Sequence, residues 1–372
     1  MTARPKVAHI VWEMNYGGIE ALVRELCQWQ SAHGTEPCII ETGPVAGKMN
    51  PELRGLGFAV HQCSLNPKRS FVSRLTTLLR AIKPAAIHHH CFGTAFLAAF
   101  AARLAGVSCT VETAHSLNAY SLKTWREKRR VWIGCLFSGL VTHRVAVSHA
   151  VRESTPLRKR VRVIYNGVDC NRFRWPRDHR LLSAWGIPRP AETIVVGHIG
   201  SFREVKNHEA VLRVAAEVKR RSGRPIAFVC AGDGERFSKI RSEVHALGLE
   251  RDVLLLGIYQ NIPEFIGCCD LFFMPSRYEG LPVACIEAMA AGVPPIVSDV
   301  AGLNEVVNDD TVGRKFPLDH DSLAVKAILE LAEDAELRRR LGDAARQHAR
   351  NNFSLDACAR SYLKLYGIPD CR

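Results

Sequence analysis

No apolar run in this 372-residue chain approaches the roughly 18 residues needed to cross a bilayer, so no transmembrane helix is expected. Thirteen cysteines are present, yet none stand in a Cys-x-x-Cys spacing and no regular framework joins them. Cys268 and Cys269 are adjacent, a poor arrangement for one metal ion. A disulfide scaffold and a zinc ribbon are therefore not expected. Scattered thiols fit a reducing cytosol, with most of them acting as small buried hydrophobes. The opening residues lack the pattern of a secretory signal, and Lys6 to Trp12 read as a first strand. Internal repeats, low-complexity segments, zinc-finger spacing, helix-turn-helix patterning and the aromatic-basic signature of RNA binders are also missing. Nucleic acid is accordingly not an expected partner.

Acidic residues are scarce in one half only. Residues 1–190 hold 27 Lys+Arg against 11 Asp+Glu, a net of +16, whereas residues 191–372 hold 23 against 26, a net of −3. The basic field of the first half attracts polyanions or an anionic membrane face. The chain is long for a single core, so two domains are expected.

Apolar strands alternate with helical patterns, the signature of parallel sheets covered by helices. Strands are predicted at 6–13, 36–42, 58–63, 85–90, 108–113, 143–148, 161–165, 193–200, 226–231, 253–257, 271–275 and 294–298. Helices are predicted at 19–33, 70–83, 93–105, 123–139 and 149–154, between the later strands, and through a strandless tail at 319–366. The expected architecture is α/β, with two doubly wound parallel-sheet domains. The first spans 1–170, a linker rich in Arg, Trp and Pro spans 171–192, and the second spans 193–352. In such sheets ligands bind beyond the carboxyl ends of the strands.

The richest stretch of sequence runs from Ser276 to Met289. It follows the apolar strand Leu271 to Pro275 and opens a helix, whose first turn suits Pro282 because the missing N–H is not needed there. The free N–H groups near Gly280 and Leu281 favour an anion such as a diphosphate. Glu279 and Glu287 flank that position. Two carboxylate acceptors around an anion site suit a nucleotide sugar, whose hydroxyl-bearing rings lie on both sides of a diphosphate.

These residues resemble the E-x7-E motif of glycosyltransferase family 4, the retaining glycosyltransferases of GT-B fold. The resemblance extends in order along nearly the whole chain. It takes in Gly17-Gly18-Ile19-Glu20, Ala114-His115-Ser116, Ala146-Val147-Ser148, Asn166-Gly167-Val168-Asp169, Gly200 to Asn207, Ala231-Gly232-Asp233-Gly234 and Ala290-Ala291-Gly292-Val293-Pro294.

The resemblance implies that Glu279 binds donor-sugar hydroxyls and Glu287 the ribose. Lys206 fills the family's lysine position at the diphosphate. Ser201 stands where the commonest pattern has Arg, and Arg203, two residues later, is the candidate second cation. Gly17 and Gly18 would let the backbone approach donor phosphate and acceptor, with Glu20 capping the helix or bracing the loop. His115 would lie near the transferred sugar. Gly232 and Gly234 would approach base or phosphate, although the longer dinucleotide fingerprint is absent. Glu305 resembles a position near the donor, with Asn304 in place of the usual Pro. The final helix, within 353–372, is expected to cross back onto the first domain.

The resemblance also implies a metal-independent enzyme with no cofactor. His88-His89-His90 invites a metal reading, but on a strand only His88 and His90 share a face. The expected partners are a nucleotide-sugar donor, a UDP-sugar or GDP-mannose, and a lipid-linked or saccharide acceptor. Peripheral contact with an anionic membrane is also expected, from the basic first half.

Residues Lys123 to Val141 join a basic run to an apolar one bearing Trp132. They read either as an interfacial helix or as a helix whose apolar part is core. Two other functions share the architecture. A nucleotide-sugar epimerase would need further acidic residues in the cleft. A non-catalytic binding subunit would lose Glu279 or His115, and both are present.

Overall fold

The computed structural model describes residues 4–90, 94–117, 124–125, 132, 138–155 and 158–370. The chain divides into two compact units, Met1–Gly167 with Leu355–Arg372, and Val168–Ser354.

The first unit holds β1 (Lys6–Val11), β2 (Glu36–Glu41), β3 (Ala59–Gln62), β4 (Ala86–His89), β5 (Cys109–Ala114), β6 (His143–Ala146) and β7 (Val161–Val163). They form one sheet in the order β3-β2-β1-β4-β5-β6-β7, and every pair is parallel. The strand order reverses between β1 and β4, the place where an open α/β sheet leaves a crevice for ligands.

Helix Leu355–Tyr366 belongs to this unit. Its Tyr362, Leu363 and Tyr366 share a core cluster with Val7, Leu22, Leu26, Val111 and Val145. Polar groups fix its register. Tyr366 Oη is 2.6 Å from His88 Nδ1, and Tyr362 Oη is 3.1 Å from Thr113 Oγ1. Trp29 Nε1 donates to Asp356 Oδ1 at 3.2 Å.

The second unit holds β8 (Ile194–Ile199), β9 (Ile226–Ala231), β10 (Val253–Gly257), β11 (Leu271–Met274), β12 (Pro295–Ser298) and β13 (Arg314–Phe316). Their order is β10-β9-β8-β11-β12-β13, again all parallel. All four residues of β11 are buried, as helices on both faces of a parallel sheet require. Phe202, Phe228, Phe273 and Phe316 pack with Val211, Ala215 and Ile328 in the main core. Strand order reverses between β8 and β11.

Some elements differ from expectation. β13 was not anticipated: three residues, two of them cationic, carry too little apolar pattern to stand out. Helix His179–Ala184 lies in the stretch expected as linker, and the Asp178 carboxylate caps it by accepting from Arg180 N and Leu181 N. That stretch packs on the second unit. Arg177 pairs with Asp270 at 2.6 Å and donates to the carbonyls of Cys268, Pro190 and Thr193. Helix Asn50–Gly55 was also not foreseen. The helix predicted over 123–139 falls almost wholly outside the described residues. The ten described cysteines are all free, and nine are buried.

Tyr362 is completely buried and supplies both packing and a hydrogen bond. Tyr362→Ala is expected to lower stability by about 3–5 kcal/mol, read as an earlier urea midpoint.

Candidate active site

The two strands at the reversal of the second sheet each lead into a loop, and the loops meet. After β8 the chain passes Gly200 and makes a short 3-10 turn, Glu204–Lys206. Asn207 then takes a left-handed conformation (φ 54°, ψ 48°) and starts helix His208–Arg221. After β11 the chain runs through Ser276 and Glu279 to helix Val283–Ala291. Lys206 Nζ donates to Glu279 Oε1 at 2.6 Å, and both side chains are largely buried.

Three carbonyls hold the Glu279 segment in place. His198 Nδ1 bonds Phe273 O at 2.9 Å, Asn207 Nδ2 donates to Pro275 O at 3.1 Å, and Ser298 Oγ donates to Ser276 O. The backbone adds Arg277 N to Val205 O at 2.8 Å and Glu279 N to Ala301 O at 3.2 Å. His198 lies beneath Gly200, whose missing side chain leaves room for both its Nε2 and the Lys206 stem. His208 stacks on Phe202 with centroids 3.8 Å apart.

Sequence reading missed His198, Asn207 and Ser298. A histidine inside an apolar strand gives no sign of reaching a neighbouring carbonyl. For Asn207 a signal existed, because Asn is among the few residues that tolerate a left-handed helix start.

Arg203 is exposed, and its side chain makes no ion pair or hydrogen bond among the described residues, so the structure does not bring it to Glu279. Gly280 and Leu281 directly precede helix Val283–Ala291. Pro282 is its N-cap, one position earlier than a first-turn proline, and Glu287 is its fifth residue, within its second turn rather than two turns inside. Gly232 (φ 142°) and Gly234 permit a close approach of backbones. A Cβ on Gly232 would collide with Gly200 O, and one on Gly234 with the backbone of Phe202. Phe202 N donates to Asp233 O, and Arg236 N to Phe202 O, both at 3.0 Å. In this structure the two glycines thus join the loop after β9 to the loop carrying Lys206. Glu305 sits on the four-residue helix Leu303–Val306.

In the first unit, Gly17 is the N-cap of helix Gly18–Ala32. The Glu20 carboxylate folds over Gly17, and burial raises its pKa. Gly18 faces open space. His115 directly follows β5. Its Nε2 is 3.1 Å from His90 Nδ1, and His90 Nε2 is 3.1 Å from His9 Nδ1. His9 Nε2 is 3.0 Å from Gln30 Oε1. His88 bonds Tyr366 and, at 2.8 Å, Thr113.

Among the described residues, His9, His88 and His90 are the group whose positions could hold a metal ion. All six of their ring nitrogens already have hydrogen-bond partners, so coordination would cost at least two of these bonds.

Two parallel sheets with helices, each with its strand order reversing at the centre, define the GT-B class. HepE of Anabaena, solved in complex with UDP and glucose, superposes with a TM-score of 0.83 over 98% of this chain and 99% of its own, at 17% identity. Residues 183–348 match the model for "Glycosyl transferases group 1", and residues 16–172 match that for "Glycosyltransferase Family 4". EpsF of Bacillus subtilis (strain 168) is 31% identical over 321 residues, 80% of each chain. The UDP-Gal:alpha-D-GlcNAc-diphosphoundecaprenol alpha-1,3-galactosyltransferase of Escherichia coli is 28% identical over 310 residues, 80% of this chain and 79% of that enzyme. The chain therefore belongs to glycosyltransferase family 4, and it is a glycosyltransferase.

Burial without a paired carboxylate lowers the pKa of both His9 and His198 to about 4. The unfolded chain binds these protons near the ordinary value, so stability is full above about pH 6.5 and falls as pH drops toward 4. At pH 5 each histidine is expected to cost about 2 kcal/mol. Urea unfolding at neutral pH and at pH 5 checks this, and His198→Phe is expected to flatten part of the slope.

Proposed function

We propose that this enzyme is a retaining glycosyltransferase. It would move a sugar from a nucleoside diphosphate, UDP in the first instance, to a lipid-linked or oligosaccharide acceptor in cell-surface polysaccharide assembly. The observation that carries the reading is the Lys206–Glu279 pair at the strand-order reversal of the second sheet. One group suits a diphosphate and its neighbour suits sugar hydroxyls. HepE, bound to UDP and glucose, and the Escherichia coli enzyme, named for UDP-Gal and a diphosphoundecaprenol acceptor, support this choice of substrates.

In this reading the second unit, 168–354, holds the donor and the first holds the acceptor. A diphosphate brought to Lys206 competes with Glu279 for the ammonium and frees the carboxylate for a hydroxyl of the sugar. Glu287 takes the ribose. The helix N-terminus at Gly280-Leu281 adds partial positive charge, and Arg203 can swing in from solvent. The anomeric C–O bond to diphosphate breaks while the acceptor oxygen bonds on the same face. A donor phosphate oxygen takes the acceptor proton, and nucleoside diphosphate leaves. The protein supplies position and electrostatics to the growing negative charge. Lys206 provides a fixed cation, so no metal is needed for that role. The basic first half would keep the enzyme at the anionic inner face of the membrane.

Nucleoside diphosphate release from UDP-, GDP- and ADP-sugars, with and without vesicles carrying lipid-linked acceptors, tests this reading. Acceptor-dependent turnover of one donor is expected, with the anomeric configuration kept in the product. Lys206→Ala and Glu279→Ala are each expected to cut kcat by at least about 100-fold while the fold survives. Full activity in either variant would rule out the site. Turnover without any acceptor would instead favour an epimerase.

A further inference from the structure

Gln30, His9, His90 and His115 form one line of hydrogen bonds through the first unit, from helix Gly18–Ala32 to the end of β5. The rings are nearly parallel along it: His9 and His90 are inclined by 23°, and His90 and His115 by 28°, each pair with centroids 5.4 Å apart. Gln30 and His9 are fully buried, and His90 is nearly so. Burial holds all three imidazoles neutral at pH 7, lowering His9 and His115 to about 4 and His90 well below its ordinary value.

A neutral imidazole has one N–H and one lone pair. Rings joined nitrogen to nitrogen can therefore be set in only two ways, with every bond pointing in one direction or every bond reversed. The end group decides between them. Gln30 presents Oε1 to His9, so His9 Nε2 must donate. His9 Nδ1 then accepts from His90 Nε2, and His90 Nδ1 accepts from His115 Nε2. His115 Nδ1 is left as a buried lone pair with no partner among the described residues. Turning the amide over would reverse all three bonds and leave an N–H there instead. The first setting leaves the Gln30 Nε2 amide, and the reversed one the His115 N–H, without a partner among the described residues, so the direction of the line follows from the way the Gln30 amide faces. His88 packs against His90 with centroids 3.9 Å apart, but both its nitrogens are engaged by Tyr366 and Thr113, so it does not branch the line.

We propose that Gln30 is a positioning residue that acts through His9 and His90 to hold His115 in one tautomer, protonated at Nε2, so that its Nδ1 accepts a hydrogen bond from a hydroxyl of the sugar or acceptor. The tautomer follows from the hydrogen-bond line alone; only the hydroxyl contact rests on the glycosyltransferase reading. His115 would thus discriminate for a ligand that donates at this point and against one that presents a bare ether or carbonyl oxygen.

Ring-nitrogen NMR of the full chain, labelled at histidine, tests the first part with no substrate present. The His115 signals are assigned by their loss in His115→Gln. The wild-type protein is expected to show one His115 tautomer with Nδ1 bare. Gln30→Met and His90→Phe are each expected to give a mixture of tautomers, so either variant suffices if the other does not fold. A proton on Nδ1 in the wild type, or an unchanged His115 signal in a folded variant, overturns the proposal. Where the tautomer does change, kcat/KM for transfer is expected to fall about tenfold, the scale of one lost hydrogen bond. Unchanged kcat/KM with a changed tautomer removes the hydroxyl contact and leaves the tautomer control standing.

Discussion

The second unit's site rests on the capture of three backbone carbonyls, those of Phe273, Pro275 and Ser276, by side chains of His198, Asn207 and Ser298. The chain leaves a buried strand there, and its C=O groups can no longer join the sheet. Unpaired, they would carry a desolvation penalty. Paired to side chains on β8, on the following helix start and on β12, they fix the path of the segment that carries Glu279. The Lys206 loop is tied to the same segment through Val205 O. Both members of the ion pair therefore sit on backbone that its neighbours determine.

The first unit solves a different problem with histidine. Among the described residues no carboxylate bonds the rings of His9, His88, His90 or His115, so burial keeps these four imidazoles neutral, and all of their ring nitrogens but His115 Nδ1 have a partner. The partners are the rings themselves, Gln30, Thr113 and Tyr366 of the last helix. A network of neutral groups avoids the cost of a buried charge but gives up strength, since the strong hydrogen bonds are those with an ionised partner. It gains direction, because each ring copies the orientation of the one before.

Much of the architecture could be read from sequence because parallel strands covered on both faces are short, apolar and regularly spaced. Leu271 to Met274 and Ile226 to Ala231 needed nothing more. Strand β13 escaped because its pairing with β12 leaves only Phe316 fully buried. At the site, the positions of Lys206 and Glu279 were legible because each follows a recognisable strand. Their contact at 2.6 Å was not, since it depends on a crossing of loops 73 residues apart in sequence. The supporting side chains were hidden for the same reason. The His88-His89-His90 run drew notice, yet its partners His9, Thr113 and Tyr366 come from three other elements that only folding brings together.

The last helix has a bearing on how the molecule is made. Tyr366 and His88 are 278 residues apart in sequence, and the whole second unit lies between them. A ribosome emits the seven strands of the first sheet long before it emits the helix that covers them. During that interval His88 lacks Tyr366, and Val7, Leu22 and Val111 lack much of their apolar cover. The nascent first unit must wait in an unfinished form, exposed to chaperones and to wrong partners, until the second has been synthesised. In this chain the unit translated first is completed last.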